Sequence, residues 1–114
     1  MTASPTLTFA ALADPTRLSI IDMLARRGEL AAGEIGTAFS STTSAISQHL
    51  KVLREAGLVF VEKRAQQRIY QLDTTAMAEA QGWLSDRARQ WNSRIDALES
   101  YIEELKQGAT DDQQ

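Results

Sequence analysis

The chain has 114 residues, 43% of them hydrophobic, enough for one modest core and for a single domain. It has no cysteine, which excludes disulfides, thiol redox chemistry and thiolate metal sites, and no run of 18 apolar residues. Its formal net charge of −3 argues against nucleic acid, yet residues 1–40 carry −1, residues 41–71 carry +3 and residues 72–114 carry −5. A polyanion responds to charge within about a Debye length, roughly 8–10 Å, so the basic middle of the chain outweighs the distant total. With no signal peptide or lipidation motif visible, a soluble cytoplasmic protein with no membrane partner is expected.

Residues 1–4 are expected to be disordered, and a first helix is expected from about Pro5 to Ala13. The second helix has the clearest start. Asp14 can cap free backbone N–H groups and Pro15 suits the first helical position. Its predicted buried stripe is Leu18, Ile21, Leu24 and Ala25, and Gly28 stops it. Glu29 and Leu30 form a short strand that pairs with a later hairpin.

A third helix, from about Ala32 to Phe39, looks weak. Ala31 stands at its cap position without an acceptor, at a cost of about 1 kcal/mol. Gly33 and Gly36 lie inside it, each costing up to about 1 kcal/mol relative to alanine. Tertiary contacts through Ile35 and Phe39 are expected to hold it, and its amides to exchange faster than those of its neighbours.

Ser40, Ser41 and Thr42 make a turn, with Thr42 the predicted N-cap of a fourth helix. Ile46, Leu50 and Leu53 recur at spacings of 4 and 3 and mark its buried face. Its other face offers Thr43, Ser44, Ser47, Gln48 and Lys51, short hydrogen-bonding groups plus one cation. Such groups suit base edges and phosphates. Gly57 ends the helix. Two alternating runs follow, joined by Ala65, Gln66 and Gln67, and they end near Leu72. Helix, strand, turn, strand is the tail of a winged helix-turn-helix domain. The predicted fold class is therefore mostly α with a small β-hairpin wing.

Asp73, Thr74 and Thr75 start a long helix predicted to run to about Gln107. From Ala88 its apolar residues, among them Trp91, Ile95, Leu98, Ile102 and Leu105, step by 3 and 4 alternately, which is a coiled-coil seam. Residues 1–107 read as one DNA-binding and dimerisation domain and residues 108–114 as a disordered polar tail. Trp83, Leu84, Trp91, Ile95, Leu98, Ile102 and Leu105 are the predicted homodimer surface. Packing of the aromatic residues inside one subunit, against the first helix, is the alternative.

The candidate DNA-reading residues are Thr42, Thr43, Ser44, Ser47, Gln48, His49, Lys51 and Arg54 on the helix. Lys63, Arg64, Gln66, Gln67 and Arg68 are the candidates on the wing. Gln48 is suited to a bidentate contact with adenine, and Ser44 or Thr43 can reach several bases. Lys51 and Arg54, further along, suit phosphates, although Arg54 suits a helix-surface pair equally. Arg64 and Arg68 can project a guanidinium toward a narrow groove. Lys63 reads as well as a generic hairpin charge, with Glu62 beside it. His49 is the only histidine, and a lone histidine is a poor metal site because zinc normally takes three or four protein ligands. No grouping of nucleophile, base and orienting residue points to an enzyme. No metal and no cofactor is predicted.

The string ISQHLKVLREAGLV, residues 46–59, resembles the ArsR-type family of bacterial transcriptional repressors. So do the phrase Ala13-Asp14-Pro15-Thr16-Arg17 and the run Gly33-Glu34-Ile35. The resemblance covers roughly residues 8–106. It implies a homodimeric repressor that holds double-stranded DNA at a palindromic operator, often its own promoter. It also implies that His49 lies on the DNA-facing helix, bonded to phosphate or backbone. Many members of this family sense metals, through cysteines near the third helix or through aspartate and histidine on the last. This chain reads Leu30-Ala31-Ala32-Gly33-Glu34-Ile35 at the first place and has no histidine at the second, so it resembles a branch without these metal sites. Two rival readings remain: a winged-helix module that binds another protein, and a regulator gated by a small molecule in a pocket framed by Trp83, Trp91 and the first helix. The effector, if one exists, is not legible.

Overall fold

A computed structural model describes residues 5–111, with side chains through residue 108. The helices are α1 (Pro5–Leu12), α2 (Pro15–Arg27), α3 (Ala32–Thr37), α4 (Thr43–Glu55) and α5 (Thr74–Asp111). The strands are β1 (Glu29–Ala31), β2 (Val59–Arg64) and β3 (Gln67–Leu72). This is the winged helix-turn-helix arrangement, with a three-stranded antiparallel sheet in the order β1-β3-β2. No described helix is long and apolar enough to cross a membrane.

The chain divides into two units, residues 1–81 and 82–114. The first has a core in which Ile20, Leu24, Leu30, Ile35, Leu53 and Leu58 are fully buried. The opening turns of α5 belong to it: Ala80 is buried, and Ala76 and Met77 pack on the core. In the second unit, the remainder of α5, every side chain from residue 82 to 108 is exposed.

Helix boundaries follow from local chemistry. Asp14 has an extended backbone and its carboxylate accepts the Arg17 N–H at 3.0 Å. That N–H would otherwise be one of the helix's orphan donors. Thr42 does the same for α4, accepting from the Ala45 N–H at 3.1 Å. At the other end of α4, Gly57 adopts φ +75°, a left-handed conformation that costs glycine nothing. The Leu58 N–H then bonds the Leu53 carbonyl and the Gly57 N–H bonds the Arg54 carbonyl, closing a Schellman motif. Gly28 ends α2 at φ +85°.

Three expectations need correction. The buried stripe of α2 is Ile20, Ile21 and Leu24, while Leu18 and Ala25 are exposed. Ile21 and Leu24 fit either stripe, and Ile20, one turn before Leu24, completes the buried face in place of Leu18 and Ala25. Helix α3 ends at Thr37, before Phe39, which nevertheless packs on the core from the following turn. Helix α5 continues through Gly108 to Asp111, past its expected end at 107. One glycine costs a helix about 1 kcal/mol, too little by itself to stop a long one. Residues 1–4 and 112–114, where disorder was expected, lie outside the described residues.

Candidate nucleic-acid interface

Helix α4 buries Ile46, Leu50 and Leu53 and leaves Thr43, Ser44, Ser47, Gln48, Lys51 and Arg54 exposed. Thr42, at its cap, is exposed as well. The polar face therefore carries hydroxyl and amide groups over the first two turns and cations beyond them. Lys51 stands 4.0 Å from Glu55, a long contact between two exposed groups. Such a pair holds a lysine weakly.

The wing sorts its cations by strand alternation. Cross-strand partners share a face of a sheet, and faces alternate along each strand. Lys63 lies opposite Arg68, on the face that also carries Val61 opposite Tyr70 and Val59 opposite Leu72. This is the face that supplies Val59 and Tyr70 to the core. Arg64 lies on the other face, opposite Gln67. It is bonded there to Glu29 at 2.5 Å and to Glu62 at 3.0 Å, and Glu62 also accepts from Gln71 at 3.3 Å. Hydrogen bonding to Glu29 first, then to Glu62, raises the Arg64 pKa above its ordinary value. Arg64 is thus a charged tie between β1 and β2, paired with two carboxylates while its side chain stays exposed. Lys63, Arg68 and Arg54 make no ion pair among the described residues.

Three cations meet at one place. A cleft of about 340 Å³ between α4 and the wing is lined by Ser47, Lys51, Arg54, Arg68, Tyr70, Leu50 and Ala32. No acidic side chain lines it. Gln66 and Gln67 are exposed at the hairpin tip, and with Arg68 they line a second open groove facing the start of α3. The turn between the strands holds two residues, Ala65 and Gln66, rather than the three expected, and Ala65 sits at φ +57°. A residue with a Cβ pays strain in that region.

The His49 ring turns its Nδ1 toward the start of α2, 3.2 Å from Arg17 Nη1 and 3.8 Å from Asp14 Oδ2. Arg17 in turn donates from Nε to the Ala11 carbonyl at 2.7 Å and from Nη2 to the Ala10 carbonyl at 3.4 Å. One guanidinium thereby joins the end of α1, the start of α2 and the middle of α4. The phrase around Asp14 is visible in the sequence, but its link to a histidine 32 residues away is not.

On the second unit, Trp83, Leu84, Trp91, Ile95, Leu98, Ile102 and Leu105 are all exposed, Trp91 by 62% and Leu98 by 57%. Tyr101 joins them at 57%. Arg87 lies over the Trp83 ring, 5.0 Å from its centre, and Arg89 pairs with Asp86.

The known proteins that this chain resembles carry the same domain. Residues 14–60 match the model of the bacterial regulatory protein, arsR family. The HTH-type transcriptional regulator Rv2034 of Mycobacterium tuberculosis is 38% identical over 100 residues, covering 88% of this chain and 90% of that protein. The transcriptional repressor SdpR of Bacillus subtilis is 34% identical over 76 residues, covering 67% of this chain and 83% of that one. Among solved structures, an ArsR-like transcriptional regulator from Rhodococcus sp. RHA1 superposes with a TM-score of 0.73 at 28% identity, over 82% of this chain and 88% of that one. These proteins are regulators of transcription, not enzymes. With its capped α4, its basic wing and these relatives, the chain belongs to the ArsR family of bacterial regulatory proteins.

Proposed function

We propose that this protein is a homodimeric transcriptional repressor that binds an imperfect palindrome, possessed in each half by one α4 helix in the major groove. Two such helices related by a dimer axis fit half-sites about 34–36 Å apart. The observation that carries the reading is the cleft lined by Lys51, Arg54 and Arg68, beside an exposed α4 face of hydroxyl and amide groups. Gln48 is the candidate for adenine, Ser44 and Thr43 for further base edges, and Ser47 for a phosphate or base. Lys51, Arg54, Lys63 and Arg68 take phosphates, with Gln66 and Gln67 at the wing tip. Arg64 and His49 act from behind this surface, through Glu29 and Glu62 and through Arg17.

The dimer surface is the exposed apolar stripe of α5. Large aromatic and aliphatic side chains at heptad spacing are the usual anchors of such an interface. Release from DNA does not use a thiolate-bound metal. This is supported by the lack of cysteine and by the single histidine, which faces Arg17. The promoter of the protein's own gene is the first operator to test.

Fluorescence anisotropy on DNA from that upstream region, against shuffled DNA across a salt series, tests the reading. Preferential binding that weakens steeply with salt is expected, because each neutralised phosphate releases counterions. Equal weak binding to both DNAs, followed by failure of a genome-wide DNA selection, would remove DNA as the partner and favour a protein at the α4 face.

A further inference from the structure

The contact between Arg17 and His49 has a requirement that neither residue reveals alone. A guanidinium has five N–H donors and no acceptor. Arg17 Nη1, 3.2 Å from His49 Nδ1, can therefore bond only to a lone pair on that nitrogen. As a hydrogen bond, this contact requires a neutral ring with its proton on Nε2. Protonation of Nδ1 would set two cations at 3.2 Å. The nearest anion is the Asp14 carboxylate, 3.8 Å from the same nitrogen. That carboxylate already accepts the Arg17 backbone N–H as the cap of α2. An imidazolium would be drawn from Arg17 toward Asp14 and would compete for the cap.

We propose that Asp14, Arg17 and His49 form a proton-sensitive clamp that positions the recognition helix. Neutral His49 accepts from Arg17 and fastens α4 to α2. Arg17 is anchored behind it by the Ala10 and Ala11 carbonyls, so the clamp also holds the end of α1. Protonated His49 cannot accept, and α4 loses its polar tie to α2. The site is built for this: the ring is half-buried, with a side chain 21% exposed, so it reaches solvent protons while staying in contact with both partners. Asp14, the cap of α2, and Arg17, in its first turn, are the charged groups that face the ring among the described residues. Protonation of His49 would thus loosen the helix that meets DNA, and histidine is the side chain suited to such a switch. His49 and Arg17 are positioning residues in this scheme, since neither needs to touch DNA.

The inference rests on the DNA-binding reading for its consequence, but its first test does not. His49 is the only histidine in the chain, so its ring signals need no assignment by mutation. Long-range proton–nitrogen NMR on the free protein at pH 8 is expected to show the neutral ring protonated on Nε2. A ring protonated on Nδ1 would overturn the clamp. Backbone amides of α4 should then shift together with the ring as pH falls to 5.5, and amides that ignore the ring's titration would overturn it as well.

The second test compares DNA affinity of the native protein and of His49→Asn between pH 8 and 5.5 at constant salt. The Asn Oδ1 can stand in for Nδ1 as an acceptor and does not titrate. The native protein is expected to lose affinity relative to the variant by roughly two- to tenfold across the range, the size of one net hydrogen bond. Parallel profiles would overturn the proposal while leaving the DNA-binding reading intact. If neither protein binds DNA at any pH, the functional reading fails, and the NMR titration still decides the clamp.

Discussion

The two helices of the helix-turn-helix are built in opposite ways. Helix α4 has 13 residues, a threonine cap, a Schellman stop and three buried anchors. Helix α3 has 6 residues, a single buried anchor in Ile35, and alanine at its cap. Alanine has no acceptor, so only the reciprocal half of a capping box is present: the Glu34 carboxylate accepts the Ala31 N–H at 3.0 Å. Helix α4 supplies its own ends, whereas α3 is held by what surrounds it. The difference teaches that the helix presenting side chains outward needs local definition, while the helix behind it can borrow its shape from the core.

Removing anchors should separate the two helices most. Ile35→Ala is expected to cost about 2–5 kcal/mol, as for other fully buried aliphatic side chains, and to abolish amide protection in α3 first. Chemical denaturation with hydrogen exchange measures both, and a loss spread evenly over α3 and α4 would erase the contrast. Cap removal acts next. Thr42→Ala should cost about 1 kcal/mol, seen as a lower denaturation midpoint, with fraying confined to the first turn of α4.

Filling the glycines should narrow the gap from the other side. A Cβ built at Gly33 or Gly36 meets no atom within 4 Å, and neither residue has a positive φ. Gly33→Ala and Gly36→Ala are each expected to stabilise by up to about 1 kcal/mol and to slow exchange in α3. Unchanged exchange there would mean that tertiary contacts, not propensity, limit α3.

The smallest effect concerns the cap of α2. The Arg17 backbone N–H, followed by the charges of Arg17 and His49, lowers the Asp14 pKa below its ordinary value, although burial opposes this. A carboxylate depressed on folding contributes stability above its unfolded pKa, about 3.9, and loses it as pH falls through the lower folded value. Asp14→Asn should therefore remove the part of acid unfolding that the native protein shows below about pH 4, seen as a stability difference between the two proteins that shrinks as pH falls through that range. A difference between the two proteins that stays constant below pH 4 would contradict this assignment.

What the sequence made legible was local. The caps at Asp14 and Thr42, the stops at Gly28 and Gly57, the stripe Ile46, Leu50 and Leu53, and the alternation of the wing each depend on residues within a turn or two of one another. The features that the sequence did not make legible depend on distance. Arg64 looks free along the chain, but Glu29, which engages it, lies 35 residues earlier on β1. His49 shares the turn of α4 with Gln48, and only docking against α2 turns its ring inward. Leu18 fits the predicted stripe of α2 by spacing, and Ile20 is buried in its stead once the helix docks. The length of α5 beyond Gly108 was obscured for a different reason, since a glycine lowers helix preference without forbidding the helix.

The hairpin carries its charges in two opposed settings, and this bears on how salt acts on the protein. On one face Lys63 stands directly across from Arg68. Like charges in that position repel, and added salt screens the repulsion. On the other face Arg64 is drawn to Glu29 and Glu62, and the same salt weakens that attraction. The two responses run in opposite directions within one three-stranded sheet. Ionic strength should thus leave the shape of the wing nearly constant while it changes the ion atmosphere around a bound polyanion, so that a salt titration of binding reads counterions rather than a melting hairpin.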